Sequence, residues 1–241
     1  AIRRISIGDI DQELLDYFNQ RVVTEQEFAS NFSTYMYMSP TNKIVDQRNK
    51  EYLESLSGKA YKFSTIVEKV SSDFNKKTLP KDVELKVGSQ AMILVNNYGT
   101  SDKYTYSNGM CGEIESITCN GDESTSKVVI NVPKHGKKVV KYRQIDVMEV
   151  DVVGNNIVYE TKCSYKYMPC VPCKAITIHK SQGKTLNATY LNLDKWIPDS
   201  IVYVAISRAE NLESIGLSRP LTFSDFKPNK ESIDFISNYD V

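Results

Sequence analysis

The chain has 241 residues, of which 41% are hydrophobic and 25% are charged, a composition ordinary for a soluble globular protein. Its 30 basic and 30 acidic residues cancel, so the totals exclude bulk positive charge as the means of binding a nucleic acid, although a local patch can still serve. The apolar runs are short and interrupted by charge, which excludes a membrane span. Five cysteines, an odd number, and no recognisable signal peptide predict a reducing, intracellular compartment.

The chain opens on Ala1 rather than on Met, and we expect it to be a fragment of a longer protein. Residues 1–22 predict an amphipathic helix, in which Asp9 is the capping residue and apolar side chains follow at helical spacing: Leu14, Leu15, Phe18 and Val22. The aromatic, Thr and Met residues of Phe32–Met38 then predict a strand.

A polar loop, Ser39-Pro40-Thr41-Asn42, interrupts the pattern after this strand. Thr41 or Asn42 can cap a helix over residues 43–56, whose buried face carries Ile44, Leu53 and Leu56. The succession of strand, polar loop and helix is typical of an α/β unit.

The pattern changes over residues 84–166, where short apolar runs alternate with Gly, Asn and Asp turns. These runs are Ala91–Val95, Gly112–Ile117, Val128–Val132 and Asn156–Tyr159. Their even spacing predicts a small β-barrel.

Helical periodicity returns after Ile178. The sequence predicts a helix over Asp199–Ala209, a strand over Ser214–Leu217 and a closing helix near Lys230–Ser237. We therefore predict an α/β domain formed by residues 1–83 and 167–241, interrupted by a barrel over residues 84–166.

The segment Ala175–Leu186 combines a buried-type run with a polar, glycine-containing stretch. Backbone N–H groups at a strand end followed by a helix start favour an anion. His179 and Lys180 can add donors, and Gly183 allows a phosphate to approach the backbone closely. Taken alone, however, the segment is more typical of a solvated loop.

Gly183-Lys184-Thr185 has the ending of a Walker A loop, G-x-x-x-x-G-K-[ST]. That pattern requires glycine at position 178, where this chain has the β-branched Ile178. We therefore exclude a P-loop here.

A second segment, Val202–Ala209, places Arg208 at the end of an apolar helical stretch. In isolation, this arginine would be expected to pair with a neighbouring carboxylate. Its functional interpretation is an arginine finger, which brings a planar charge to a γ-phosphate held by another domain.

Together, the two segments resemble motifs V and VI of superfamily-one helicases, in the form typical of RecD-like and PIF-type DNA helicases. They read Thr-Ile-His-Lys-Ser-Gln-Gly (177–183) and Val-Tyr-Val-Ala-Ile-Ser-Arg-Ala (202–209). Residues 39–42, with Val45, Asp46 and Asn49, are similar to motif IV. Residues 85–92, with Asn108, Gly109 and Gly112, resemble the start of the family's SH3-like barrel. Residues 2–9 resemble the segment that leads into the family's second RecA-like domain.

The resemblance implies a RecA-like domain with an SH3-like insertion. His179 and Lys180, with Thr177 behind them, would contact the backbone of a single DNA strand. Thr41 and Asn42 would do the same from the motif IV loop. Backbone contacts of this kind imply weak sequence preference.

For the nucleotide, the resemblance implies that Gln182 and Gly183 lie near the triphosphate and that Arg208 is the finger. ATP with Mg²⁺ would be held mainly by a first RecA-like domain that precedes Ala1 and carries the Walker A and B residues. The same resemblance implies 5′-to-3′ translocation by a monomer, without a membrane partner. Lys184 and Cys173 depart from the family pattern, which has an apolar residue and a small alanine there.

Two other functions stay open: a viral-type RNA helicase of the same superfamily, and a non-catalytic binding module derived from a helicase.

The sequence contains three weaker features. Cys170 and Cys173 have zinc-ligand spacing but no second pair, so we assign no metal site. A basic cluster can be a solvated hairpin or a phosphate contact (Lys134, His135, Lys137, Lys138, Lys141 and Arg143), and alternating tyrosines can stack on bases or fit an ordinary strand (Tyr35, Tyr37, Tyr104 and Tyr106).

Overall fold

The structure is a computed structural model and describes residues 2–6, 8–32, 34–119, 121, 125–153, 156–193 and 201–227. The helices in these residues are α1 (Ile2–Ser6), α2 (Gln12–Asn19), α3 (Glu25–Asn31), α4 (Asn42–Ser55) and α5 (Ile201–Ile206). The strands are β1 (Met36–Ser39), β2 (Ala60–Phe63), β3 (Ile66–Val70), β4 (Val83–Lys86), β5 (Gln90–Ile93), β6 (Asn97–Tyr98), β7 (Thr105–Tyr106), β8 (Cys111–Thr118), β9 (Lys127–Val132), β10 (Gly136–Lys141), β11 (Arg143–Val153), β12 (Asn156–Tyr167), β13 (Cys170–Pro172), β14 (Ala175–Thr177), β15 (Thr189–Leu191) and β16 (Ile215–Leu217).

The chain divides into two compact units, residues 1–51 with 174–241 and residues 52–173. The first unit contains a four-stranded sheet of order β14-β1-β15-β16, in which all neighbours run parallel. Its strands are buried, except for the half-buried Met36, as is usual for a parallel sheet that is covered on both faces. The predicted α/β class is confirmed.

The N-terminal residues form two helices, so the prediction of one helix capped by Asp9 is wrong. Gly8 takes a positive φ of 74° and ends the first helical segment. Asp11 caps α2, because its carboxylate accepts a hydrogen bond of 2.9 Å from the backbone N–H of Leu14. Asp9 instead pairs with Arg4 at 2.8 Å.

Helix α4 spans Asn42–Ser55, one residue earlier at each end than predicted. Val45 and Leu53 are its buried apolar residues. Asn49 joins the helix to the sheet, since its side-chain amide donates to the carbonyl of Ala175 at 2.9 Å and accepts from the N–H of Ala175 at 2.8 Å.

The second unit is built from antiparallel strands. Its largest sheet has the order β10-β9-β8-β5-β13, and the remaining strands of the unit pair as β11-β12-β3, β2-β4 and β6-β7. Apolar side chains from these strands form one core cluster that includes Phe63, Leu85, Ile93, Ile114 and Ile130. The predicted all-β insertion is confirmed as a class, while closure into one barrel stays a prediction.

The predicted insertion, residues 84–166, lies inside this unit, which extends from Tyr52 to Cys173. The unit extends beyond both predicted ends because β2 pairs with β4, β3 with β12, and β13 with β5. The short, partly exposed β2 and β3 give little apolar signal in the sequence.

Near the C-terminus, α5 ends at Ile206, before the predicted end at Ala209. Strand β16 matches the predicted strand over Ser214–Leu217 except at its first residue. The predicted helix near Lys230–Ser237 lies outside the described residues. Within the described part of the chain, every helix is too short or too polar to cross a membrane.

Candidate functional site

Two neighbouring strands of the first unit, β1 and β14, end at the same edge of the parallel sheet. Ser39 is in register with Thr177, and the N–H of Ile178 donates to the carbonyl of Ser39 at 3.1 Å. Ligands of open α/β sheets bind outside the carboxyl ends of such strands. The segments that carry Thr41 and His179 therefore leave the sheet side by side.

Five residues are predicted to contact a DNA strand. Four of them are exposed at this edge of the sheet: Thr41, Asn42, His179 and Lys180. Thr177 is buried, and its hydroxyl oxygen accepts a long hydrogen bond of 3.4 Å from the N–H of Lys180. In this structure Thr177 therefore orients the turn rather than presenting its own side chain.

The chain after β14 makes a single 3₁₀ turn, His179–Ser181, where the sequence predicted a helix start. One turn supplies little of the dipole that a longer helix offers an anion. The buried Ser181 holds the turn by donating from its hydroxyl to the carbonyl of Ile178 at 2.6 Å.

Residues 181–184 form a type II β-turn. Gln182 has φ −56° and ψ 136°, Gly183 has φ 75°, and the N–H of Lys184 donates to the carbonyl of Ser181 at 3.0 Å. A type II turn requires a positive φ at its third residue, so glycine is needed there for conformation. The turn leaves both Gln182 and Gly183 exposed.

Arg208 follows α5 and is half-buried. Its guanidinium donates from Nη2 to the hydroxyl of Ser207 at 2.9 Å and from Nε to the carbonyl of Val204 at 3.2 Å. Among the described residues no carboxylate pairs with it, and its Nη1 has no partner. A local ion pair therefore does not account for this arginine within that part of the chain.

A pair of backbone hydrogen bonds joins Leu186, two residues after the Gln182 turn, to the Arg208 segment. The N–H of Leu186 donates to the carbonyl of Arg208 at 2.8 Å, and the N–H of Glu210 donates to the carbonyl of Leu186 at 2.9 Å. Leu186 thus forms an isolated parallel bridge with Ala209. Sequence reasoning missed this bridge because a single bridging residue produces no periodic pattern.

The second unit contains an open cavity of about 340 Å³ lined by tyrosines and basic residues, including Tyr104, Tyr106, Tyr142, Lys141 and Arg143. Other members of the predicted basic cluster are engaged elsewhere. Lys137 pairs with Glu115 at 2.5 Å, and the buried Lys138 donates to the carbonyl of Asp102 at 2.8 Å. The cluster is therefore dispersed, and only part of it lines the cavity.

The zinc-like pair Cys170 and Cys173 is buried. Burial raises the pKa of the Cys170 thiol to about 12, which opposes the thiolate form that metals bind. In the residues that the structure covers, no group of three or more His, Cys, Asp or Glu residues is placed to hold a metal ion.

No protein-family model matches the chain. Among curated proteins, it is 26% identical over 240 residues to the ATP-dependent DNA helicase Pif1 of Campylobacter jejuni, covering 94% of this chain and 52% of that protein. It is 24% identical over 221 residues to the ATP-dependent DNA helicase PIF1 of Xenopus laevis, covering 86% of this chain and 30% of that protein. The chain is therefore similar in sequence to PIF-type DNA helicases along part of their length.

Solved structures of PIF-type helicases share the fold. Unliganded Pif1 from Bacteroides sp superposes with a TM-score of 0.78 at 22% identity, over 99% of this chain and 53% of that one. Pif1 from Candida albicans superposes with a TM-score of 0.74 at 19% identity, over 98% of this chain and 56% of that chain. The chain thus spans about half the length of the PIF-type helicase structures that it matches.

Proposed function

We propose that this chain is the C-terminal half of an ATP-dependent DNA helicase. The observation that carries the proposal is the backbone bridge between Leu186, which follows the exposed Gln182 turn, and the segment of Arg208. The guanidinium of Arg208 has no acidic partner among the described residues. The curated relatives bear the name ATP-dependent DNA helicase. The Bacteroides relative has been solved with single-stranded DNA and with ADP-AlF4.

In this proposal the edge formed by β1 and β14 holds the backbone of a single DNA strand. Lys180 and His179 meet phosphates, while Thr41 and Asn42 donate from the start of α4, where backbone N–H groups favour an anion. Because these contacts address phosphate and not base edges, the strand is held with weak sequence preference.

For ATP, we assign Gln182 and Gly183 to the neighbourhood of the triphosphate and Arg208 to the γ-phosphate. Arg208 still has Nη1 available among the described residues, and its present partners are neutral, so turning toward a phosphate breaks no ion pair. A preceding RecA-like domain supplies the Walker residues and the Mg²⁺ ligands, and Mg²⁺ accompanies ATP. None of the five cysteines, all of which lie in the described residues, forms a disulfide bond, which supports the proposal of a reducing, intracellular compartment.

The decisive experiment measures ATP hydrolysis by the longer protein with and without oligonucleotides. Stimulation by single-stranded DNA above that by RNA of the same sequence supports the DNA helicase. Stimulation by RNA alone would support the viral-type RNA helicase, and the absence of any hydrolysis would support the passive binding module. Duplexes with a 5′ or a 3′ tail test the proposed 5′-to-3′ direction, because only a 5′ tail should then permit unwinding.

A further inference from the structure

The guanidinium group of Arg208 is held along one edge. Such a group carries one N–H donor on Nε and two on each Nη atom, all in a rigid plane. The hydroxyl oxygen of Ser207 accepts hydrogen bonds from two of these atoms, from Nε at 3.3 Å and from Nη2 at 2.9 Å. The carbonyl of Val204 also accepts from Nε, at 3.2 Å. All three contacts therefore lie on the edge formed by Nε and Nη2, which we call the side edge.

The end edge of the same group, formed by Nη1 and Nη2, is available for a further contact. Among the described residues Nη1 has no hydrogen-bond partner, and Nη2 has one partner for its two N–H groups. Parallel N–H groups on this edge match two oxygen atoms of a phosphate in a bidentate contact. The end edge is thus the part of Arg208 with the geometry to bind an anion.

The backbone fixes the position of the Ser207 hydroxyl. Ser207 directly follows α5 and is half-buried, and its N–H donates to the carbonyl of Tyr203 at 2.9 Å. The hydroxyl donates its single proton to the carbonyl of Val204 at 3.0 Å, so that its lone pairs are left to accept from Arg208. The hydroxyl therefore serves as a fixed acceptor at the end of the helix.

A neutral acceptor suits an arginine whose charge is to be used elsewhere. A carboxylate in the place of the Ser207 hydroxyl would form an ion pair with the guanidinium, and that pair would compete with a phosphate for it. A hydroxyl orients the plane of the guanidinium and leaves its positive charge uncompensated. Orientation matters because a misplacement of about 1 Å in a catalytic constellation can cost about 10²-fold in rate.

We propose that Ser207 is a positioning residue, which holds the side edge of Arg208 so that the end edge faces the γ-phosphate of ATP. This inference rests on the proposed function, because it requires Arg208 to be the arginine finger. Ser207 acts only through Arg208 and has no contact of its own with the nucleotide.

A purely structural role for Ser207 makes a different prediction. The last carbonyls of a helix lack partners within the helix, and side chains often supply them. If Ser207 only caps α5 through the carbonyl of Val204, its loss lowers the stability of the fold and leaves the catalytic rate of the folded protein unchanged. A positioning residue instead changes the catalytic rate.

Steady-state ATP hydrolysis by the longer protein, with saturating single-stranded DNA, tests the proposal. Ser207→Ala should lower kcat about tenfold through loss of orientation, and the KM for ATP should not change, because an arginine finger stabilises charge in the transition state. Ser207→Thr keeps the hydroxyl and should restore most of the rate. Ser30→Ala is the matched control: the Ser30 hydroxyl donates to the carbonyl of Glu27 at 2.7 Å near the end of α3 and should leave kcat unchanged.

A double variant separates an effect through Arg208 from any other effect. Ser207→Ala combined with Arg208→Ala should hydrolyse ATP at the same rate as Arg208→Ala alone, since no guanidinium is left to orient. Multiplied losses in the double variant overturn the proposal, as does a Ser207→Ala protein that is less stable but has an unchanged kcat, or one in which only KM rises. If Arg208→Ala retains full hydrolysis, the finger fails and this inference fails with it. If Arg208→Ala is impaired and Ser207→Ala is not, only this inference fails.

Discussion

Arg208 is held by uncharged groups, the hydroxyl of Ser207 and the carbonyl of Val204. Neutral partners restrain a guanidinium weakly compared with a carboxylate, so the side chain can turn toward an anion at little cost. This arrangement suits an arginine whose charge is needed only when a second domain closes.

Replacing Arg208 with Ala in the longer protein should lower DNA-stimulated ATP hydrolysis by about 10³-fold, since an arginine finger contributes that order of rate enhancement. The affinity for single-stranded DNA should not change, and fluorescence anisotropy of a labelled oligonucleotide measures it. Arg3→Ala is the control, because Arg3 is an exposed arginine on α1. Undiminished hydrolysis by Arg208→Ala would remove the finger from the mechanism.

Gly183 is required for its backbone conformation, because a Cβ at this position would meet no atom within 4 Å. At φ 75° an alanine costs about 1 kcal/mol, and Gly183→Ala should lower the free energy of unfolding by that amount in urea titrations. Asn tolerates this region of φ and ψ better, so Gly183→Asn should lose less. Equal losses for Ala and Asn would contradict the assignment of a type II turn.

Tyr35 provides a pH-dependent contribution to stability. Two causes raise the pKa of Tyr35 from 10.0 to about 12: burial, which is the larger, and the hydrogen bond of 2.6 Å that its hydroxyl donates to Glu25. The folded state thus holds the phenolic proton more tightly than the unfolded state does. The stabilisation is complete below pH 10 and is lost between about pH 10 and 12. Tyr35→Phe should show a smaller loss of stability across this range in unfolding experiments at graded pH.

At the level of elements, the side chain of Asn49 connects α4 to β14. It forms hydrogen bonds with both the carbonyl and the N–H of Ala175, the first residue of β14. Asn49→Leu leaves an N–H and a carbonyl without these bonds and should cost about 2 kcal/mol of unfolding free energy. Gln47→Ala on the exposed side of α4 is the control. Amide hydrogen exchange should quicken at Ala175 in the Leu variant, and an unchanged rate would count against the clamp.

The sequence predicts those elements whose side chains carry a strong pattern. The run Ala175–Ile178 places a strand correctly, although the helix start predicted after it is a single 3₁₀ turn. The run Val128–Val132 likewise predicts a strand and the residues after Thr41 predict a helix, and both are present. The sequence pattern favours Asp9 as the N-terminal cap, whereas Asp11 caps the helix, because both residues are acidic and only the position of the helix start separates them. The β-bulge at Lys162, where β12 has one residue more than β11, could not be predicted, since it depends on how two strands pair.

The candidate site shows the same division. The resemblance of two local segments named Gln182, Gly183, Arg208, His179 and Lys180. It could not show that Thr177 is buried or that Leu186 bonds to Arg208 through the backbone. Those facts depend on contacts between segments that are distant in the sequence, and a local pattern does not encode them.

For the whole molecule, the balanced net charge means that the proposed binding to a DNA strand depends on a few local cations. Lys180→Ala should weaken binding of single-stranded DNA to this chain and reduce the slope of log K against log salt by about 0.7, the value for one phosphate contact. Lys76→Ala, at an exposed lysine of the second unit, should change neither quantity. An unaltered slope in Lys180→Ala would place the phosphates elsewhere.

The bridge at Leu186 also has a consequence for the tolerance of this region to mutation. Its two hydrogen bonds involve only peptide groups, so the link between Leu186 and the Arg208 segment survives any side-chain replacement that keeps the backbone path. Proline is the exception, because it lacks the N–H that Leu186 donates. The backbone link between the two segments can therefore persist when their side chains are replaced.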